Sequence, residues 1–319
     1  MFDVIIIGGG PAGLSAALVL ARCRRRLLLC DAGHPRNAQS SALHGFLSRD
    51  CVPPLDLLRF GREELKPYGV EPRHATVADL IHREDSFEAT LDTGEKVQAR
   101  MALIASGVRD YLPDIPGLED CYGVTVHHCP YCDGWEHRDQ IVAVIGRGTA
   151  GAGLALSLKT WTPHVVLCTN GAAAIRRSEQ RRLADEQIVV RTTPIARVDH
   201  DGQAVRTVAF TDGTSVACDA IFFSGRQSQQ CNLAARLGCD MTRRGVVKTG
   251  NLGQTHIAGL YVVGDASRDV QFAIVAAAEG AKAAVAINQA LQQRAGLIPA
   301  VTNDPASDER PLRASSRLP

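Results

Sequence analysis

The stretch Val4-Ile5-Ile6-Ile7-Gly8-Gly9-Gly10-Pro11-Ala12-Gly13-Leu14 reads as a buried strand, a glycine turn and the start of a helix in immediate succession. Gly8 permits the tight turn, Gly10 lets backbone approach a pyrophosphate, and Gly13 lets the helix pack on the strand. Pro11 and Ala12 complete the signature, and the helix that follows offers free N–H groups and a positive dipole end to phosphates. The next apolar run, Leu27-Leu28-Leu29-Cys30-Asp31, is a second strand ending in an acid 18 residues after Gly13. Asp31 is placed to accept from ribose hydroxyls. Together these features mark a dinucleotide-binding fold.

Working outward, the same grammar recurs. Ile141-Val142-Ala143-Val144-Ile145 leads into Gly146-Arg147-Gly148-Thr149-Ala150-Gly151, an apolar helix to about Leu158, and the strand Val165-Val166-Leu167-Cys168. Gly146, Gly148 and Gly151 are therefore candidates for a second nucleotide site. Near the C-terminus, Gly259-Leu260-Tyr261-Val262-Val263-Gly264-Asp265 is a further buried strand, followed by an apolar helix from about Gln271 to Leu291.

Between the two glycine turns lies Cys129-Pro130-Tyr131-Cys132, followed at once by Asp133-Gly134. In a Cys-x-x-Cys at a helix start, backbone N–H groups and the partner sulfur draw the first thiol towards thiolate, with pKa values falling to about 7 or below. That thiolate attacks a disulfide, and the second cysteine resolves the mixed disulfide. Two thiols beside an electron-pair carrier point to redox chemistry. Asp133 is a candidate proton donor to the leaving thiolate, and as half of an Asp-Gly pair it is equally open to a plain turn or cap reading. His127 and His128 raise a zinc alternative, but adjacent residues seldom converge on one tetrahedral ion, and no metal site is expected.

Composition sets the limits. The 319 residues suit two domains, since single cores rarely grow beyond roughly 250 to 300 residues. With 45% hydrophobic residues, 22% charged and a net charge of +1, nothing favours nucleic acid. No stretch approaches the roughly 20 apolar residues that span a bilayer, and the first residues read as a strand rather than a leader. A cytoplasmic protein with no membrane partner is expected. Of the ten cysteines, Cys23, Cys30, Cys51, Cys121, Cys168, Cys218, Cys231 and Cys239 are expected to be reduced and mostly buried, with a Cys231–Cys239 pair the one alternative. The Pro/Ser-rich end, 299–319, reads as a disordered tail.

Gly8 to Gly13, Ala105-Ser106-Gly107 at a strand end, Cys129 to Gly134, Gly146 to Gly151 and Gly264-Asp265 occur in an order and spacing that resemble the low-molecular-weight thioredoxin reductase family. The resemblance runs from residue 2 to about residue 293. It implies an α/β chain with two Rossmann-like, three-layer ββα dinucleotide-binding domains, the second inserted into the first. An FAD domain would be built from 1–114 and 247–298, and 115–246 would form an NAD(P)H-binding-like domain carrying the dithiol. The crossovers are expected at 112–117 and near 246–251. Ala105, Ser106, Gly107, Gly264, Asp265, Gln271, Phe272 and Ala273 would join the FAD site. Asp265 would reach the ribityl chain, or serve merely as a helix cap. Cys129 would exchange with the outside disulfide while Cys132 faces the flavin. The family also forms homodimers through its FAD domains.

Three stretches depart from that family. An Arg-rich signature that grips the 2′-phosphate of NADPH is replaced by Cys168-Thr169-Asn170-Gly171, with Arg176 and Arg177 further along. The family's Arg-Gln-Ala beside the flavin becomes Gln271-Phe272-Ala273, and 43–50, Leu43-His44-Gly45-Phe46-Leu47-Ser48-Arg49-Asp50, replaces the usual flavin-edge sequence. Phe46 and Phe272 read as core rather than cofactor platform. The expected activity is an FAD enzyme passing electron pairs between a donor, the Cys129/Cys132 pair and a thioredoxin-like protein or small disulfide. The donor is NADPH or, given the missing arginines, ferredoxin or a second flavin. The alternative is a dithiol oxidase that closes a disulfide in a small metabolite and passes electrons to oxygen. A non-enzymatic redox sensor whose flavin or dithiol only reports state is a third class.

Overall fold

The structure is a computed structural model that describes residues 1–267 and 270–299. The expected tail lies, from residue 300 on, outside the described residues.

In the first half, β1 (Phe2–Ile7), α1 (Pro11–Arg22), β2 (Leu27–Asp31), α2 (Pro54–Leu65), β3 (Arg73–His74), β4 (Val77–His82), β5 (Phe87–Leu91) and β6 (Lys96–Ile104) follow one another. β7 (Val108–Tyr111) leads to β8 (Val126–His127), α3 (Pro130–Asp133), β9 (Val142–Ile145), α4 (Gly148–Leu158), β10 (Val165–Cys168), α5 (Arg177–Asp185), β11 (Val189–Arg191), β12 (Ile195–Asp201), β13 (Ala204–Phe210), β14 (Ser215–Ala217) and β15 (Ala220–Phe223). The chain returns through β16 (Arg226–Gln229), α6 (Leu233–Arg236), β17 (Leu260–Val262) and α7 (Ala273–Arg294).

Two sheets result. In the first, β3, β2, β1, β6 and β17 are parallel, while β4 and β5 add an antiparallel hairpin alongside the first half of β6. In the second, β11, β10, β9, β15 and β8 are parallel, and β12 to β14 form a separate three-stranded antiparallel sheet. A parallel sheet must be covered on both faces, so its strands are apolar throughout. In β1 the side chains alternate: Val4 and Ile6 pack against α1 and α7, and Ile5 and Ile7 pack on the opposite face with Phe87, Leu80 and Leu91 of the hairpin. β9 repeats this, with Val142 and Val144 facing α4 while Ala143 and Ile145 face the β12–β14 sheet. The two halves are thus the same three-layer Rossmann-like design, helices on one face and a small antiparallel sheet on the other, as the family resemblance implied.

Two antiparallel strands, β7 and β16, join the halves, pairing from Arg226↔Tyr111 to Gln229↔Val108. Beyond β16, Leu233, Ala234, Cys239 and Val247 already pack in the core of the first sheet. α6, which carries Leu233 and Ala234, thus precedes in the chain the 246–251 stretch where the resemblance puts the second crossover.

Candidate active site

Strand ends and helix starts of the first sheet converge on a cavity of about 430 Å³. Its wall contains Gly8, Gly10, Pro11, Ala12, Asp31, Ala105, Ser106, Gly107, Gly264, Asp265, Gln271, Phe272 and Ala273. Gly13 stands behind the wall, where a Cβ would come within 1.8 Å of the Gly8 carbonyl oxygen, so helix and strand touch there as the motif requires. Gly10 caps α1, and a Cβ added to it would meet nothing within 4 Å, so its open side faces the cavity at the helix N-terminus. Asp31 is fixed by the Gly33 N–H at 2.9 Å and by Arg62 at 2.8 Å. A dinucleotide fits this cradle: bare backbone at a helix start, an acid at the next strand end, and a cavity reaching on to Cys132 and Asp133.

Cys132 and Asp133 line the same cavity, whereas Cys129 is not part of its wall. The two cysteines are joined as a disulfide with Cα atoms 5.3 Å apart, spanning the one-turn helix α3. Gly134 is buried against Trp161 and the Pro130 carbonyl, which explains a glycine after Asp133. Outside, Tyr131 and Trp135 are 70% and 65% exposed, so the face of the dithiol away from the cavity is bordered by aromatic surface.

Burial, then the negative charge of Glu136, raises the Asp133 carboxyl from its ordinary 3.8 to about 7. Its Oδ1 lies 3.4 Å from His127 Nδ1, a pair that looks ionic by distance. It is not, because burial and the neighbouring His137 pull His127 down to about 3 and leave it neutral. The hydrogen-bond network assigns the tautomers. His137 Nδ1 donates to Gln140 Oε1 at 3.0 Å, so its bare Nε2 accepts from His127 Nε2–H at 3.0 Å, which also faces the Val124 carbonyl at 3.1 Å. His127 Nδ1 is then a lone pair turned towards Asp133, which disfavours a carboxylate there and favours the protonated acid.

His128 points the other way. Its Nε2 lies 3.0 Å from Arg36 Nη2, so it accepts and is neutral, its pKa lowered by burial and by that guanidinium. The two histidines thus diverge, and with the two cysteines they form no metal-ligand cluster among the described residues. Arg36 is the residue that sequence reasoning missed. From the loop after β2 it grips Asp110 of β7 bidentately at 2.6 and 2.7 Å, and it reaches Asp265 at 2.9 Å and Gln271 at 2.7 Å. Burial disfavours both charges of the Arg36–Asp110 pair, yet the bidentate bonds prevail: the arginine is raised and the aspartate lowered. Asp265 is raised by burial against the opposing pull of Arg36. Gln227 of β16 donates to Asp110 at 2.9 Å and exchanges bonds with Gln271 at 3.1 Å, so one guanidinium ties both connecting strands to the cavity. Nothing around His34-Pro35-Arg36 in the sequence signals this role, which arises from partners 74 to 235 positions away.

Asp265 belongs to a short 3₁₀ turn, Gly264–Ala266, and α7 begins only at Ala273 with Phe272 as its N-cap, so the cap alternative for Asp265 falls. The aromatic pair also needs correction. Phe272 is half-buried in the cavity wall and Phe46 is half-buried in an exposed loop, so neither is core; each lies where the chain turns, outside the strand and helix faces that build the core. Cys231 is free, its thiol 3.3 Å from Ser106 Oγ, and does not pair with Cys239. Cys23 and Cys51 are exposed, against expectation, because both sit at turns with no apolar face to cover them. Burial pushes Cys30 to about 11 and Cys168 and Cys218 to about 12, which makes these thiols inert at neutral pH.

In the second half, Gly146, Gly148 and Gly151 form the turn into α4, with a Cβ at Gly151 only 2.4 Å from the Gly146 carbonyl carbon. Here Arg147 caps the helix and folds over the end of β10. Its Nε donates to the Thr169 carbonyl at 2.7 Å, its Nη2 to the Asn170 carbonyl, and its side chain covers Gly171. Thr169 is buried and Asn170 Oδ1 accepts from Ile195 N–H at 2.8 Å. The strand end that would meet a nucleotide ribose is thus occupied by the protein's own side chains, and Arg176 and Arg177 lie exposed at the start of α5.

Residues 2–280 match the pyridine nucleotide-disulphide oxidoreductase family. The chain belongs to that family. It is 29% identical to the thioredoxin reductase tcpT of Claviceps purpurea, over 82% of this chain and 86% of that one. Among solved structures, HlmI superposes with a TM-score of 0.89 at 36% identity, covering 92% of this chain and 94% of that one. An oxidoreductase from Agrobacterium tumefaciens gives 0.84 at 33% identity, covering 91% and 98%. The chain is a thioredoxin reductase-like flavin disulfide oxidoreductase, and no helix among the described residues is long and apolar enough to cross a membrane.

Proposed function

We propose that the Cys129/Cys132 pair passes electron pairs between FAD held in the first-sheet cavity and an external disulfide, that of a thioredoxin-like protein or a small molecule. One observation carries this: Cys132 and Asp133 share a cavity wall with Gly8 to Ala12 while Cys129 stays outside it. When bound there, FAD supplies two-electron chemistry next to the Cys132 sulfur.

The chain's own groups divide the remaining work. Cys129, at the outer end of α3, attacks the incoming disulfide, with Tyr131 and Trp135 as the contact surface beside it. Cys132 closes back on Cys129 and releases the partner as a thiolate. Asp133, holding a proton to about pH 7, gives it to that leaving sulfur. Arg36 positions Asp265 and His128 without touching the sulfurs. In this reading 1–114 and 247–298 furnish the FAD domain, extended by α6, and the 115–246 segment carries the dithiol. A cytoplasmic homodimer joined through the FAD domains accords with the resemblance.

A second reading runs electrons the other way: a dithiol oxidase closes a disulfide in a small metabolite and returns the flavin to its oxidised state with oxygen. The seat of Arg147 over Thr169 and Asn170 favours it, since a nucleotide ribose and 2′-phosphate would have to displace that guanidinium. For the same reason a reductase of this build would draw on ferredoxin or a second flavin as readily as on NADPH. Anaerobic titration of the flavin with NADPH, NADH, reduced ferredoxin and a small dithiol separates these readings. Rapid stoichiometric bleaching by NADPH refutes the Arg147 argument; bleaching by the dithiol alone supports the oxidase. In both readings Cys132→Ser keeps its flavin and loses disulfide turnover.

A further inference from the structure

A cluster apart from the dithiol combines three metal-ligating side chains of different kinds. The loop after β2 closes on itself between Leu43 and Val52, whose backbones bridge, and Cys51 N–H donates to the Leu43 carbonyl at 2.9 Å. This brings His44, Asp50 and Cys51 together, with their ligand atoms all within 4.8 Å of one another. His44 Nδ1 lies 3.8 Å from Cys51 Sγ and 3.9 Å from Asp50 Oδ1, and Cys51 Sγ lies 3.5 Å from Asp50 Oδ2. Bond lengths of about 2.0 to 2.3 Å to a tetrahedral ion put ligand atoms about 3.3 to 3.7 Å apart. With one ligand atom from each residue the separations reach at most 4.8 Å, about 1 Å wider than that, a gap that small rotations of these side chains, two of them exposed, would close.

The second nitrogen of His44 makes the argument stronger. Its Nε2 faces Glu136 Oε1 at 3.5 Å, from the segment just after the dithiol helix. A carboxylate on the far nitrogen of a ligating imidazole fixes its tautomer and leaves the near nitrogen bare for a metal. Asp50 is likewise oriented, its Oδ1 accepting from Gly45 N–H at 2.8 Å. Cys51 holds a left-handed φ of 63°, a conformation unusual for a residue with a side chain, and in it the sulfur meets the other two groups. Two carboxylates nearby make this thiol a poor free nucleophile, but they suit a thiolate shared with a dication.

We propose that His44, Asp50 and Cys51 bind one divalent transition cation of the zinc class, with Glu136 as the outer partner of His44. Imidazole and thiolate select Zn²⁺ or Co²⁺ over Mg²⁺ and Ca²⁺. Three protein ligands leave a fourth position for water. Since His44 also lines the flavin cavity and Glu136 follows the dithiol helix, the ion would pin the 43–52 loop to the segment that carries Cys132. Asp50 and Cys51 are adjacent in the chain, and His44, six positions before Asp50, joins them only when the loop closes.

The test uses the full-length, flavin-loaded, oxidised protein, with the dithiol closed so that it offers no thiolate. Co²⁺ is added as the spectroscopic probe, and its ligand-field absorption is read at wavelengths beyond the flavin bands, with Zn²⁺ as competitor and Mg²⁺ as control. Expected is one Co²⁺ per chain, displaced by Zn²⁺ and not by Mg²⁺, lost in Cys51→Ser, and retained in the Cys129→Ser/Cys132→Ser double variant. Glu136→Gln should weaken binding by about 10-fold to 100-fold. Flavin content reports that each variant is folded. No Co²⁺ signal in the parent protein, a signal that survives Cys51→Ser, or one that vanishes with the dithiol would each overturn the site. Unchanged affinity in Glu136→Gln would overturn the role given to Glu136. Because the readout is metal binding, failure here leaves the dithiol reading untouched.

Discussion

Replacing Asp133 by asparagine should make the protein more stable and less active, and the stability gain should depend on pH in a defined way. The side chain is 18% exposed and its pKa is raised from 3.8 to about 7. Below about pH 4 the carboxyl is protonated in both folded and unfolded chains, so asparagine changes little. Between the two values the unfolded chain ionises while the folded one does not, and stability is lost as pH rises. Above about pH 7 the loss is complete, and at about 1.4 kcal/mol per pKa unit it amounts to about 4 kcal/mol. Asparagine keeps the shape without this penalty. In urea unfolding of the oxidised, flavin-loaded protein, Asp133→Asn should therefore exceed the parent by about 1 kcal/mol at about pH 4.5 and by about 4 kcal/mol at about pH 7.5. Turnover of a disulfide should fall by about 100-fold to 10,000-fold, the usual loss when a positioned proton donor is removed. Parallel stability curves for the two proteins across that range would refute the argument that burial and Glu136 hold the proton on Asp133.

The same pKa fixes the direction of the activity profile. A reductase needs Asp133 protonated, so turnover should decline above about pH 7, whereas a dithiol oxidase needs it as a base and should gain over the same range; a profile flat through neutrality contradicts both. Arg36→Met leaves Asp110 and Asp265, 6% and 20% exposed, without their cation and should cost about 3 to 5 kcal/mol with weakened flavin retention, read by thermal unfolding and by absorbance of the filtered protein. An unchanged midpoint would show that water or Gln227 compensates. Arg147→Ala should quicken anaerobic bleaching by NADPH or NADH relative to the parent; no change would mean that Arg147 does not guard the second turn.

The sequence made the architecture readable because two features of the fold are local. A parallel strand buried on both faces leaves an unbroken apolar run such as Val4 to Ile7, and the turn after it demands glycine wherever backbones touch, as Gly13 does against Gly8. Cys129 to Asp133 was legible for the same reason: one turn of helix holds the whole dithiol. What escaped was everything made by distant partners. Arg36 gains its meaning from Asp110 and Asp265, and the long linkers that bring them together leave no periodic trace. Hydrophobicity alone sends Phe272 to the core, but it caps α7 and lines the cavity, where the family resemblance puts it. His127 read as a possible ligand, and only its contacts with His137, Val124 and Asp133 show a neutral imidazole turned away from His128.

The central claim is that the Cys132 sulfur lies against the flavin ring, and the Cys129→Ser protein tests it most directly by leaving Cys132 as a lone thiol in the cavity wall. Its absorption spectrum with FAD bound should gain a broad charge-transfer band at wavelengths beyond the flavin's own, growing as Cys132 ionises and absent in the Cys129→Ser/Cys132→Ser double variant. Spectra of the single and double variants that superimpose at every pH would contradict the account.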